Sequence, residues 1–332
     1  MKLVGMAMAR NECDVIEAFV RHNLTVLDGL HIVDHGSVDT TPKILAALVR
    51  EGLPLEVAPE TSLEFRQSDV VSAAARRLLA GGADFVFLLD SDEFLKVPSR
   101  SRLEAALASL PPGMHAVQEW QTYVPDFSRP LDPVAIIRSA RRVVTTRQSL
   151  YKVVVSRHFL DSPTLIAEGN HWVQKRPGAE GYSTVQHARL LAEESAIAHV
   201  PIRSAPQFRA KMAVGWLACL MQHDRHPSLC YHWGKAYADL REGKPLTPET
   251  LSRLAGTYGL PEGEQEPQTI ELVDDPFLAD ISLRYQAATR VRPFPLVLQF
   301  AEQLAKNVAN AKSAGFLQDG VQRERSESRA RS

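Results

Sequence analysis

Residues 85–95 read Phe85-Val-Phe-Leu-Leu-Asp90-Ser-Asp92-Glu93-Phe94-Leu95. Five apolar residues run directly into three carboxylates within four positions. Such a cluster after a buried strand is costly unless a positive charge meets it. On extended backbone, residues i and i+2 point to the same side, so Asp90 and Asp92 are expected to share one hard cation, Mg²⁺ or Mn²⁺, through oxygen ligands. A lone Asp-x-Asp is a common motif, and Asp, Ser and Glu also suit turns and helix N-caps. The apolar strand before it and the Glu-Phe-Leu after it favour the metal. Two other polar stretches follow apolar runs. In Met8-Ala-Arg10-Asn11-Glu12, Arg10 suits a phosphate and Asn11 a base or ribose, although the same residues also serve as the polar start of a helix. In Ile32-Val-Asp34-His35-Gly36-Ser37-Val38-Asp39-Thr40-Thr41, Asp34 suits a nucleobase N–H or ribose hydroxyl, and Asp39 reads as part of a well-made turn.

The elements that would position these residues alternate. Apolar runs at 3–9, 30–33, 55–58 and 85–89 are separated by helical patterns at 14–27, 42–50 (with Thr41 as N-cap and Pro42 at the first position) and 68–79, which ends at Gly81-Gly82. A further helix is expected over 101–110. Strands separated by helices of about ten residues imply βαβ units and a parallel sheet buried on both faces. Its carboxyl ends are where an open α/β sheet binds ligands, and all three polar stretches sit there. Beyond residue 115 the character changes. Strands are expected at 117–124 and 151–155, with the Pro- and Arg-rich stretch 125–147 as a mobile loop beside the site. A helix at 207–221 places Phe208, Met212, Trp216 and Leu220 on one face, read as core. Residues 235–310 read as mainly helical, and 322–332 as a disordered tail.

The bulk numbers narrow the partners. With 332 residues, 45% hydrophobic, and a formal net charge of −1, no global positive field exists to hold nucleic acid. Cys13, Cys219 and Cys230 form no CxxC and read as reduced thiols in a cytosolic protein. Residues 2–10 loosely mimic a signal peptide but read as a first core strand, and no run reaches the ~20 apolar residues of a membrane span. The histidines His223, His226 and His232 are irregularly spaced, with no cysteine pattern, which argues against structural zinc.

Arg10-Asn-Glu12, Asp34-His-Gly-Ser-Val-Asp-Thr-Thr41 and Phe87-Leu-Leu-Asp-Ser-Asp-Glu-Phe-Leu95 together resemble the family 2-like glycosyltransferases of the GT-A fold. That family carries a similar Arg/Lys-Asn-Glu, then Asp-x-Gly-Ser-x-Asp-x-Thr, then Phe-Leu-Asp-x-Asp-Glu-Phe-Leu, at matching intervals. The resemblance covers about residues 1–215 and is strong over the first 100. It implies a GT-A-like, Rossmann-type, mostly parallel sheet flanked by helices over 1–215, a helical extension over 216–315 and a tail over 316–332. It also implies a UDP- or GDP-sugar donor, a Mn²⁺ or Mg²⁺ ion, a glycan or lipid-linked acceptor, and a cytoplasmic site of action at or near the inner face of a membrane. Gly169-Asn-His171 and Ala198-His199 through Lys211 resemble two further family blocks. His199, then His171, is the expected third metal ligand beside Asp90 and Asp92, with Arg203 and Lys211 neutralising the leaving diphosphate and Arg66 a weaker phosphate contact. Glu168 is the preferred general base over Glu119, Asp126 and Asp161. The Asp-containing base motif typical of the family is not clearly present.

Rival readings are a nucleotidyltransferase and a non-catalytic carbohydrate-binding protein. The first would usually show a Gly-rich phosphate loop after the first strand, where Met8-Ala-Arg-Asn-Glu has no glycine. The second sits badly with intact Asp90 and Asp92. A haloacid-type phosphatase would need its Asp-x-Asp on the first strand.

Overall fold

The computed structural model describes residues 1–130, 132–144, 150–175, 183–222, 230–260, 269–286 and 289–313. The expected tail lies outside the described residues. The chain begins β1 (Leu3–Ala9), α1 (Ile16–Asn23), β2 (Gly29–Asp34), α2 (Thr41–Arg50), β3 (Leu55–Pro59), α3 (Gln67–Ala80) and β4 (Phe85–Asp90). These four strands are parallel, in the spatial order β3-β2-β1-β4. The apolar run of β4 is continuous because both faces are covered. Val86 and Leu88 pack with Val71, Ala75 and Leu79 of α3, while Phe87 and Leu89 pack with Ile16, Phe19 and Val20 of α1.

After the acidic turn come β5 (Glu93–Lys96), α4 (Arg100–Ala108), β6 (His115–Val124), α5 (Pro133–Arg138), β7 (Arg141–Val143) and β8 (Leu150–Ser156). Strand β8 runs antiparallel between β4 and β6, so the sheet is parallel on one side and mixed on the other. The short strands β9 (Thr164–Ile166) and β10 (Val173–Lys175) form a separate hairpin-like pair. Next, β11 (His187–Arg189) and β12 (Ala196–His199) pair with β6, and β12 also pairs antiparallel with β5. The C-terminal part holds α6 (Ala205–Leu220), α7 (Tyr231–Arg241), α8 (Pro248–Gly256), β13 (Leu272–Val273) and α9 (Pro293–Ser313). An α/β sheet flanked by helices, with a mainly helical C-terminal region, is therefore the architecture, as expected.

Four expectations change. The described part of 125–147 is not a loop throughout: it carries α5 and β7. The Asp132 carboxylate accepts from the Val134 and Ala135 N–H groups, and Pro133 opens the helix, a start signal that the many arginines obscured. Thr41 does not cap α2; its hydroxyl accepts instead from the Glu12 N–H, stitching the β1 loop to the β2 loop. On α6, Phe208 and Met212 are buried but Leu220 is exposed. Cys219 and Cys230 are joined in a disulfide, which ties the end of α6 to the start of α7; only Cys13 is a free thiol, and it is buried. The reading of three reduced thiols, and the compartment inferred from it, thus loses its basis. Among the described residues no helix is long and apolar enough to cross a membrane.

Candidate functional site

The carboxyl ends of β1, β2 and β4 lie side by side, with Ala9 opposite Asp34 and Met8 opposite Asp90. A pocket of about 310 Å³ opens beside them. The β1 end contributes Arg10, Asn11 and Glu12, and the β4–β5 turn contributes Asp90 and Asp92. Glu168 and His171 enter from the turn between β9 and β10, His199 from the end of β12, and Lys211 from α6. Residues more than a hundred positions apart meet here because β12 returns to the sheet beside β5 and β6.

The two aspartates have different partners. Asp90 is one-third exposed; its Oδ2 lies 2.5 Å from Lys152 Nζ, and its Oδ1 accepts from the amides of Gln67 and Asn170, both at 3.1 Å. Lys152 is buried and also lies 2.9 Å from Glu93 Oε1. Glu93 Oε2 accepts from the Asp90 N–H at 2.8 Å, so Glu93 braces the turn. Asp92 is buried, with Oδ2 2.5 Å from Lys211 Nζ and Oδ1 3.5 Å from His199 Nε2. Burial opposes its ionisation, but the Lys211 ammonium and then His199 outweigh burial and hold Asp92 well below the usual carboxylate range. Lys152 is buried and Lys211 partly so, which works against their charge, yet their carboxylate partners hold both pKa values above the usual lysine range.

This arrangement bears on the expected cation. Among the described residues, no three His, Cys, Asp or Glu side chains are gathered to hold one ion, so the four-residue set of Asp90, Asp92, His199 and His171 is not formed. His171 lines the pocket with its Nδ1 bonded to the Tyr151 carbonyl at 2.8 Å, and it is not gathered with the two aspartates into such a set. Asp92 and His199 do fit as a pair. Their 3.5 Å separation is one that two ligands of the same ion, each at about 2.1 Å, would span. Burial lowers the His199 pKa, favouring the neutral ring a metal needs, and its Nδ1 is buried without a partner. Mg²⁺ in particular binds through one or two protein ligands, with phosphate oxygens and water completing its shell.

Three expected contacts lie elsewhere. Asp34 accepts from the Ser37 N–H at 3.1 Å and closes its own turn. Arg66 is exposed and pairs with Asp69. Arg203 is fully buried, with its guanidinium bonded to Asp14 and Glu12 and 3.6 Å from Asp92. Its charge is compensated inside the protein, so it braces the acidic loop and is not placed to meet a diphosphate. Arg10, by contrast, has an unpartnered buried Nη2 at the pocket, and burial lowers its pKa to about 10. Glu168 also keeps one buried oxygen, Oε2, without a partner; burial pushes its pKa up to about 7. Glu119, Asp126 and Asp161 do not line the pocket.

Several residues in the pocket, and Lys152 behind Asp90, were not anticipated. Lys152 had a signal: a lone lysine in the apolar run of β8 must be paired if the strand is central. Tyr258, His232 and Trp233 had none, because only tertiary folding brings the C-terminal helices over the site.

No protein-family model matches the chain, and no curated protein matches it. Solved structures similar to it include a mannosyltransferase from Pyrobaculum calidifontis in complex with GDP-Man and Mn²⁺, at 16% identity, covering 74% of this chain and 76% of that one, with a TM-score of 0.33. Another is glucosyl-3-phosphoglycerate synthase from Mycobacterium tuberculosis with Mn²⁺, UDP and glucosyl-3-phosphoglycerate, at 15% identity, 67% and 81% coverage and a TM-score of 0.30. A third is 4-diphosphocytidyl-2C-methyl-D-erythritol synthase, at 14% identity, 47% and 76% coverage and a TM-score of 0.28. Likeness at this level does not bear on what this protein does.

Proposed function

We propose that the protein is a metal-dependent glycosyltransferase that moves a sugar from a UDP- or GDP-linked donor to an acceptor hydroxyl, in the synthesis of a surface glycan. The observation that carries this reading is the Asp92–His199 pair in a pocket at the carboxyl ends of β1, β2 and β4. Among the described lining residues, four carboxylates (Glu12, Asp90, Asp92 and Glu168) face two permanent cations, Arg10 and Lys211. Lys152 and Arg203 offset Asp90 and Glu12 from behind, and a cation held at Asp92 and His199 would offset the charge that a diphosphate brings in.

When bound at Asp92 and His199, Mg²⁺ or Mn²⁺ supplies charge neutralisation and Lewis-acid assistance to the leaving diphosphate. The protein's own residues do the rest. Arg10 offers its free Nη2, and Asn11 lies beside it at the β1 end, where the nucleoside would sit. Lys211 stays beside Asp92 as negative charge grows on the leaving group. Glu168, with a free oxygen and a pKa near neutrality, takes the proton of the attacking hydroxyl.

The test is a thermal-shift series with UDP and GDP, each without metal, with Mn²⁺ and with Mg²⁺. A ligand present at 100 times its Kd stabilises the folded state by about 2.7 kcal/mol, so a metal-dependent rise with one nucleotide is expected. Absence of any shift, with either nucleotide and either metal, would sink the proposal.

A further inference from the structure

One wall of the pocket is built almost wholly of rings. Trp120 of β6 lies 4.3 Å from the His199 ring, His199 lies 5.4 Å from Tyr258, and Tyr258 lies 5.5 Å from His232. The run continues to Trp233 at 5.7 Å and from there to Phe65 at 5.4 Å. All six line the pocket. They come from β6, β12, α7, the segment after α8 and the loop before α3, so five separate parts of the chain converge on one surface. Two glycines make room for it. A Cβ at Gly259 would lie 2.9 Å from the Trp120 indole, and a Cβ at Gly215 would lie 2.9 Å from that of Trp233. Gly259 also has φ +81°, a conformation that side chains other than glycine rarely adopt.

The wall includes His199, the partner of Asp92, and leads away from it. We propose that it is the acceptor subsite, and that it takes a neutral sugar ring stacked on its aromatic faces; this rests on the glycosyltransferase reading above. The C–H bonds of one sugar face carry weak positive charge, which meets the negative face of an indole or phenol ring. Hydroxyls at the sugar's edge then need polar partners. The Trp120 Nε1 is a buried donor without a partner, placed within the wall. Few polar groups in a mostly aromatic surface is the usual build of an orienting site.

Charge decides against an acidic or phosphorylated acceptor. Among the described residues of the wall there is no lysine or arginine. Both cations beside it are engaged: Lys211 by Asp92 at 2.5 Å and Glu12 at 3.7 Å, and Lys152, 5.6 Å from the Trp120 ring, by Asp90 at 2.5 Å and Glu93 at 2.9 Å. Burial lowers His232 to a pKa of about 4, so its ring is neutral near pH 7. An anionic acceptor on the wall would find beside it only cations already paired with carboxylates.

The experiment is saturation-transfer NMR on the full chain, with methyl glucoside, methyl galactoside and methyl mannoside against methyl glucuronide, glucose 6-phosphate and octyl phosphate. UDP and GDP with Mn²⁺ are titrated separately. At least one neutral glycoside is expected to receive saturation, strongest at the C–H protons of one face, while the anionic probes receive none. Trp120→Leu and Tyr258→Ala, each checked for native melting, are expected to weaken that glycoside about tenfold or more. Saturation of an anionic probe in preference to all neutral ones, or of no saccharide while nucleotide binds, overturns the acceptor assignment. Nucleotides that fail to bind while a neutral glycoside binds overturn the transferase reading and leave the saccharide wall standing. A bound glycoside unaffected by either ring substitution places it off the wall and also overturns the proposal.

Discussion

Asp90 and Asp92 are alike in sequence and unlike in place, so the same substitution should act differently on them. Asp92 is buried against Lys211, and Asp92→Asn leaves that ammonium with only Glu12 at 3.7 Å. Removing one partner of a buried pair costs about 3–5 kcal/mol, so Asp92→Asn should lower stability by about 3 kcal/mol as well as abolish transfer. Asp90 is one-third exposed, and Lys152 retains Glu93 when it is neutralised. Asp90→Asn should therefore melt close to wild type, so that a loss of transfer in it would assign Asp90 a part in ligand binding beyond pairing Lys152; denaturant melts and an activity assay on both variants check this. Glu168 carries a pH prediction. A general base works only when deprotonated, and burial raises this carboxyl to about 7. Transfer should fall as pH drops below about 7, and Glu168→Gln should lose about 10²–10⁴ in kcat together with that limb of the profile. An unchanged acid limb in the variant would assign the titration to another group.

At the scale of elements, the parallel half of the sheet follows from pattern. The β4 run is apolar without alternation because α3 covers one face and α1 the other, and the breakers after each strand mark where the polar loops begin. The α5 start was equally present in Asp132-Pro133 but lay among arginines that read as loop. The joint between α6 and α7 was misread for a different reason: two cysteines eleven apart carry no spacing rule that distinguishes bonded from free. The disulfide predicts that the protein, unfolded without reductant, titrates one free thiol, and three after reduction. Closing a loop of this size contributes about 3 kcal/mol, so reduction should also lower the melting temperature.

At the scale of the molecule, the C-terminal region belongs to the fold of the first half. The fully buried Glu17 of α1 accepts from the backbone N–H groups of Arg284, Tyr285 and Gln286 at 2.7–2.8 Å, and the Gln286 side chain returns to the Ala18 N–H at 3.0 Å. Helix α9 lies against α6, which itself lines the pocket, and Phe300 sits 5.2 Å from the Arg10 guanidinium. Glu17→Ala would leave three donors without their acceptor; at about 1–3 kcal/mol for each such group, a loss of at least 3 kcal/mol is expected in chemical denaturation. A variant within 1 kcal/mol of wild type would mean that the segment at 284–286 contributes little to holding the molecule together.

The order of strands and helices in the first 110 residues, apart from the short β5, and the placement of Arg10, Asp90 and Asp92 at one edge were legible in the sequence. They depend on local periodicity and on rules about strand ends, which act over a few residues. Whether Asp90 and Asp92 would share a partner, whether Arg203 would face the pocket or the interior, and which rings would wall the site were decided only by tertiary structure. Those outcomes depend on side chains as distant as Lys152, His199, Lys211 and Tyr258 competing for the same few ångströms, and no local pattern encodes who wins.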